Sequence, residues 1–305
     1  MILRNNEKVE VPIDENVAPR LEGADEEGKV VIPKEGIYTI DATGKVTFTP
    51  ENDFVGVATG VTVKRVDKNR TEVTATYTPT VTRVMPTSTN AESTGLQGQP
   101  QSGKPTFSPG DQAVPIDMTK PMTFENGTNT LVVANQGTYT INSDGSITFT
   151  PDKQFTGKAT PIRVKRVDAN GTEITATYTP EVTKVTPTGT NATSTGPQGV
   201  PQTGTPIFAG GDPLVPIDET VEPTFGDGSK EKTIPGQGTY TIAPDGAVTF
   251  TPDKQFVGKP DPITVKRVDK NGTPVTATYS PEFTKVTPTG TNATSTGPQG
   301  VPQTG

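Results

Sequence analysis

In Asp168-Ala169-Asn170-Gly171 and Asp269-Lys270-Asn271-Gly272 an acid and an amide stand two residues apart, just before a glycine. Oxygen donors on alternate residues of a tight loop are what a hard cation such as calcium recruits, but a calcium loop needs several more oxygen ligands and a late acidic residue. The same residues also make a β-turn, in which the Asp carboxylate accepts backbone N–H bonds and Asn-Gly tolerates positive φ. The turn is the expectation, and Asp168, Asn170, Asp269 and Asn271 stand as the weak metal candidates. The pairs Lys64-Arg65, Lys165-Arg166 and Lys266-Arg267 are a second candidate, a repeated cationic stripe. Strand alternation sends the Lys and the Arg to opposite faces, so the expectation is a charge-guarded edge strand with local ion pairs to Asp168. The 34 acidic residues hold no carboxylate pair in a recognisable setting, and without Trp a sugar-stacking platform is missing. Tyr139 and Tyr178 are expected in the core. No catalytic or cofactor-binding residue is assigned, and no enzymatic activity is expected.

Composition narrows the field further. The chain has 305 residues with no Cys, no His and no Trp. Thiol nucleophiles, imidazole bases, haem ligation and zinc fingers are therefore excluded, and so are disulfides. Gly and Pro together make 63 residues and Thr another 56, whereas the hydrophobic share is 29% and the aromatic share 6%. Net charge is −7, split as 11 basic against 15 acidic residues in 1–101, 8 against 8 in 102–202, and 8 against 11 in 203–305. With no basic third, neither nucleic acid nor an acidic membrane surface is an expected partner. No apolar run approaches about 18 residues and no leader-like start is present, so membrane insertion is not expected and the chain reads as a piece of a larger protein.

A repeat decides the organisation. YTI begins at Tyr38, Tyr139 and Tyr240; VKRVD at Val63, Val164 and Val265; TATY at Thr74, Thr175 and Thr276, each in steps of 101. PID alone breaks step, at Pro12, Pro115 and Pro216, and 171–204 matches 272–305 at 30 of 34 positions. The period is domain-sized. Within the middle copy, Tyr139 and Ile141 alternate with threonines, NSDG (142–145) turns the chain, and Ile147 and Phe149 alternate again up to Pro151. A second hairpin runs from Ile162 to Val167, turns at 168–171, and returns through 174–178; VTKV (182–185) reads as a last, separate strand. Period-2 alternation rich in Thr and Val, punctuated by Gly and Pro, predicts an all-β chain with about seven short strands per copy.

Each copy offers about a dozen large apolar side chains, worth about 1.5–3 kcal/mol apiece when fully buried, against an ordering cost on the order of 100 kcal/mol. Folded domains of moderate stability are expected. Residues 188–206 contain no aromatic and a single large aliphatic, Val200. They read either as a flexible linker or as the leading strand of the next domain. The second reading sets the copies at 1–87 (without its leading segment), 88–188 and 189–289, with 290–305 as the leading segment of a further repeat or a linker.

The combination GxYTIxxDGxVTFTP (137–151 and 238–252), F-x-G (Phe155–Gly157 and Phe256–Gly258), VKRVDxNGT (164–172 and 265–273) and TATYTPxVTxV (175–185) resembles the CshA-type fibril repeat of Gram-positive cell-surface fibrillar adhesins. The first copy departs at Thr43 and Arg70, where the others have Asp and Gly. The resemblance implies tandem β-sandwich domains, Ig-like or cadherin-like, arranged as beads in a rod. It implies a secreted, cell-wall-anchored stalk that holds a separate adhesive tip away from the cell. Partners on this reading are neighbouring repeats of the same chain and a host extracellular-matrix protein engaged through a region outside it. Two rivals accompany it: repeats that each bind a matrix protein weakly and act by avidity, and a calcium-stiffened spacer, since related bacterial cadherin-like repeats use interdomain calcium. VPQTG (200–204 and 301–305) is similar to a sortase sorting signal, yet an internal copy followed by TPIFAGG lacks the apolar span such a signal needs. A Lys165–Asn170 isopeptide crosslink, of the kind found in other surface adhesins, requires both residues buried with a carboxylate, and a turn is a poor place for that.

Overall fold

Alternation in Gly238–Ile242 and Val248–Pro252 puts Tyr240, Ile242, Val248 and Phe250 on one side of a hairpin and threonines on the other, and burial follows it: the four apolar side chains are buried, while Thr241 and Thr251 are exposed. The protein is described by a computed structural model covering residues 10–305, together with the backbone of the short strands Leu3–Arg4 and Glu7–Lys8. Among the described residues every regular element is a β-strand.

The third repeat carries the complete plan. One sheet runs Gln202–Gly204, Val248–Pro252, Gly238–Ile242, Glu231–Ile234; the other runs Ala192–Pro197, Pro274–Thr284, Ile263–Val268, Thr224–Phe225. All pairings are antiparallel except the first of the second sheet, where Ala192–Pro197 lies parallel to Tyr279–Thr284. Phe225, Tyr240, Ile242, Val248, Phe250, Ile263, Val265, Tyr279 and Phe283 from the two sheets form one core. This is a β-sandwich in which one edge strand of each sheet, 192–197 and 202–204, comes from the threonine- and glycine-rich segment that leads into the repeat.

Aromatic rings with one polar end hold the sheets to the connecting loop. The Tyr240 hydroxyl donates to the Asp261 carbonyl (2.9 Å), and the Gln237 side-chain carbonyl accepts from the Asp261 N–H (2.7 Å). The other repeats do the same: Tyr38 donates to Thr59 O (2.8 Å) and Tyr139 to Thr160 O (2.9 Å), with Glu35 and Gln136 as the clamping acceptors. Tyr240 also packs on Phe250 with ring centroids 4.4 Å apart. Just before it, Gly238 adopts φ +148°, and a Cβ there would lie 2.3 Å from the Thr251 carbonyl oxygen; Gly36 and Gly137 stand in the same tight approach. The glycine of GxYTI is thus required by the partner strand's backbone.

By contact density the chain divides into two compact units. One comprises Met1–Ala91, Lys104–Asn129 and Ile162–Tyr178; the other comprises Glu92–Gly103, Thr130–Pro161 and Thr179–Gly305. The first contains the opening repeat, with sheets Arg20–Leu21, Val61–Val66, Glu72–Tyr77 and Val30–Ile32, Gly36–Ile40, Val46–Pro50 over a core of Leu21, Tyr38 and Val61. It also contains the hairpin 162–167/173–178 with Thr123–Phe124 beside it. The second contains the whole third repeat and the sheet Gln101–Gly103, Ile147–Pro151, Gly137–Ile141, Thr130–Val133.

Two sequence expectations are corrected. The last strand is not separate: Pro274–Thr284 is continuous through Pro281, as Glu173–Thr183 is through Pro180. The proline's missing N–H falls where the antiparallel partner changes from Ile263, opposite Tyr279, to Gly258, opposite Phe283, so no ladder bond is lost. Nor is the VKRVD strand an edge. Ile263–Val268 lies between two neighbours, and Lys165 pairs with Glu173 (3.4 Å) rather than with Asp168.

Two outcomes follow. Gly238→Ala costs about 2 kcal/mol or more, since strain of this kind runs about 1–3 kcal/mol and the carbonyl cannot yield without breaking its ladder; denaturant unfolding of the full chain measures it. Burial pushes the Tyr240 hydroxyl well above the ordinary tyrosine range, with the neighbouring Tyr279 adding to the effect. Because the fold disfavours tyrosinate, stability is full below the ordinary pKa of about 10 and falls as pH rises beyond it. Tyrosinate absorbance and β-sheet circular dichroism should therefore change together in alkaline titration.

Candidate functional site at the joint between repeats

The turn residues define where one repeat meets the next. Asp269 Oδ1 accepts from Asn271 N (2.9 Å) and Thr273 N (2.8 Å), and Gly272 sits at φ +83°. Asp168 does the same for Asn170 N (3.0 Å) and Thr172 N (2.8 Å), and Asp67 for Asn69 N and Thr71 N. Arg70 takes φ +68° where its counterparts are glycine. Each Asp therefore spends one carboxylate oxygen on its own turn. Asp168 and Asp269 are 1% exposed, and the Oδ2 of each is buried without a hydrogen-bond partner. Among the described residues no group of three or more acidic side chains converges. The four weak metal candidates are thus dispersed over two turns, two in each.

Asn271 does more than turn the chain. It is 6% exposed, and its Nδ2 donates to the carbonyl of Gln97, 174 residues earlier, at 2.9 Å. Gln97 is itself saturated: its N–H bonds Thr183 O (2.8 Å), its Nε2 bonds Lys153 O (2.9 Å), and its Oε1 accepts from Val185 N (3.2 Å). It staples the end of the second repeat and presents its carbonyl to the third. Gln154 Nε2 bonds Asn271 O, Lys153 Nζ reaches Lys270 O (3.2 Å), and Gln99 Nε2 reaches Leu214 O (3.2 Å). Gly98, at φ +74°, lies so close that a Cβ would come within 2.0 Å of Asn271 Oδ1. A Cβ on Gly211 would come within 2.7 Å of three Thr186 backbone atoms. At Gly211 the approach is backbone to backbone and needs glycine; at Gly98 the neighbour is the Asn271 side chain, and positive φ adds to the preference for glycine.

Lys270 Nζ, next in the chain, pairs with Asp218 at 2.6 Å. That ammonium first, and the Thr220 hydroxyl second, hold the Asp218 carboxyl down to about 2. The chemistry available at the joint is therefore directional hydrogen bonding between main-chain and amide groups, reinforced by fixed ion pairs.

Sequence reasoning singled out Asn170 and Asn271 for the turn, and missed Gln97. The available signal was the recurrence of Gln-Gly at 97–98, 198–199 and 299–300, in step with the repeat. Gln198 repeats the staple in the third repeat, with Nε2 on Lys254 O (3.2 Å) and Oε1 accepting from Val286 N (3.3 Å). Lys165, offered for a crosslink, is committed to Glu173.

Replacing Asn271 with Ala removes a buried donor and orphans the Gln97 carbonyl, at a cost of about 1–3 kcal/mol. Gly98→Ala should cost at least as much, since the methyl displaces the Asn271 amide from the Gln97 carbonyl and also strains a positive-φ position. A chelator should leave the unfolding profile unmoved. A calcium-dependent shift of that profile, with Asn271→Ala silent, would reverse the assignment of the joint to hydrogen bonding.

Comparison with known proteins places these features. The profile of the surface adhesin CshA repetitive domain matches residues 2–81, 83–182 and 184–283. The chain is 95% identical to the NMR structure of repeat domain 13 of the fibrillar adhesin CshA from Streptococcus gordonii, over 25% of this chain and 96% of that one, with a TM-score of 0.15. Mouse cadherin-23 EC22-24 aligns at 13% identity over 88% of this chain and 86% of that chain (TM-score 0.34), and protocadherin gammaB7 EC3-6 at 11% over 93% and 67% (TM-score 0.36). No curated protein matches significantly. Three tandem matches covering nearly its whole length make the chain a member of the CshA repeat family of surface adhesins.

Proposed function

We propose that the chain is a load-bearing stretch of the stalk of a fibrillar adhesin on the surface of a Gram-positive cell. In this reading the stalk is attached to the cell wall and projects a separate, non-repetitive adhesive tip, which makes the contact with a host matrix protein. The joint carries the proposal: Asn271, Gln97 and Gly98 tie one repeat to the next through groups that recur every 101 residues. A device of that kind transmits force along a chain and sets spacing. The work of these residues is mechanical; the third repeat folds around the segment that leads into it. Threonine on the outward faces keeps such a surface hydrated without an apolar patch.

Stretching the full chain between its ends by single-molecule force spectroscopy tests this. Three unfolding events are expected, each releasing about 90–100 residues, or about 30–36 nm of contour at 3.3–3.6 Å per residue. Asn271→Ala should lower the force of one event without changing its length. A smooth extension without discrete events would sink the load-bearing reading.

A further inference from the structure

Tension along the backbone enters the third repeat through its leading segment and leaves it after its last strand. Those two stretches are neighbours in one sheet, where Ala192–Pro197 lies beside Tyr279–Thr284. The pairing is parallel, with Ala192 opposite Tyr279 and Pro197 opposite Thr284. Load therefore enters at the Ala192 end of the ladder and leaves at the Thr284 end. It drags the two strands past each other along their length and strains every bond of the ladder together. Had the same two strands been antiparallel, both load points would lie at one end, and the bonds would open one at a time.

Both ends of this ladder carry further bonds, and the ends are where a sheared ladder is loaded first. At the entry, Asn191 Oδ1 accepts from the Thr278 N–H (2.8 Å), and the hydroxyls of Ser194 and Tyr279 lie 2.6 Å apart. At the exit, Gln198 N bonds Thr284 O (2.8 Å), Gln198 Oε1 accepts from Val286 N (3.3 Å), and Thr284 Oγ1 donates to Gly196 O (3.2 Å). Neither strand is free to slide. Tyr279 and Phe283 anchor the last strand in the core, and beyond Gly199 the leading segment continues into Gln202–Gly204, which is paired with the other sheet.

Prolines stand where the ladder tolerates them. The Gln198 N–H points at the last strand, so alternation turns the N–H groups of Gly196, Ser194 and Ala192 inward and those of Thr193, Thr195 and position 197 outward. Position 197 is the proline. On the last strand, Pro281 stands opposite Ser194. An inward-facing residue of a parallel pair bonds the residues on either side of the one opposite it, so Pro281 removes no donor from this ladder.

We infer that Ala192–Pro197 and Tyr279–Thr284 form a shear clamp, the element that sets the mechanical strength of the third repeat. The leading segment brings few apolar side chains to the core, with Ala192 alone of 192–197 packed against it. Its hold is directional instead: weak to a pull at one end of the ladder, strong to a pull along the chain. The clamp rests on strand direction and register, which are the same whatever the chain is attached to, so it stands apart from the stalk reading.

The chain has no cysteine, so introduced pairs serve as unique handles for single-molecule force spectroscopy on the full chain. Thr190→Cys with Val286→Cys loads the ladder from opposite ends, and Val200→Cys with Val286→Cys loads it from one end. All three positions are exposed, and only the third repeat lies between the handles. At equal load, unfolding should be about tenfold or more slower in the 190–286 pull, because several bonds must yield together. In that pull Ser194→Pro, which deletes an inward N–H, should speed unfolding about fivefold or more relative to Ser194→Ala, whereas Thr195→Pro, whose N–H faces solvent, should leave the rate unchanged. Equal rates in the two pulling directions would overturn the clamp, and so would equal effects of the two prolines. Discrete unfolding events without either contrast would remove the clamp and leave the load-bearing reading standing.

Discussion

A sandwich of short strands has four outer strands, and every outer strand has unpaired backbone groups. That constraint organises this protein. In the third repeat the edges at Pro274–Thr284 and Val248–Pro252 are both covered by one stretch, 192–204, which crosses from one sheet to the other through the turn at Gly199. The composition of this stretch follows from the task. A Cβ on Gly204 would lie 2.2 Å from the Tyr279 ring, and one on Gly189 would lie 2.6 Å from the Thr276 carbonyl. Close passage over an aromatic and over a neighbouring backbone leaves room only for glycine and small hydroxyl side chains. What reads as linker composition is the composition of a capping strand pressed onto a sheet.

Placing the capping segment between bodies makes the joint and the fold a single device. Gln97 must sit near the end of its own repeat, because its strand ends there, and that puts its carbonyl within reach of the next repeat's turn. The turn in its turn needs Asp269 to hold Asn271 in position, which fixes the amide that crosses the joint. A repeat with few large apolar side chains gains specificity from these saturated polar contacts. A buried amide with a partner discriminates sharply, since an unpartnered one costs about 1–3 kcal/mol.

Hairpins were the most legible part of the sequence. Tyr139/Ile141 against Ile147/Phe149 shows strict alternation around a turn, and pairing in the structure follows it, with Tyr139 opposite Phe149 and Ile141 opposite Ile147. Pro180 and Pro281 hid the length of the last strand, because a proline ends a strand in local reasoning and only the change of partner shows why it is tolerated. The turn role of Asn271 was legible from Asp-x-Asn-Gly; its bond across the joint was not, since the partner lies 174 residues away and offers only a main-chain carbonyl. The Lys-Arg strand was misplaced at an edge for a related reason: its cover, Thr224–Phe225, is two residues long and carries no periodic signal.

Near-identity of the leading segments has a physical consequence for assembly. Residues 189–204 and 290–305 are the same sequence, so an edge cannot tell them apart by contacts. Selection then rests on proximity. A segment covalently joined to its own repeat is present at an effective concentration of order mM for a short flexible connection, far above that of a segment on another chain. Covalent order thereby keeps each internal edge paired with its own leader, although identical neighbours are prone to exchange during folding. The strands that receive the segment are not uniform in side chain: Thr80, Glu181 and Glu282, and likewise Val81, Val182 and Phe283, occupy equivalent places, whereas the parallel backbone ladder of the third repeat runs through these positions unbroken. Backbone pairing carries little copy-specific information, so connectivity decides which segment occupies each edge.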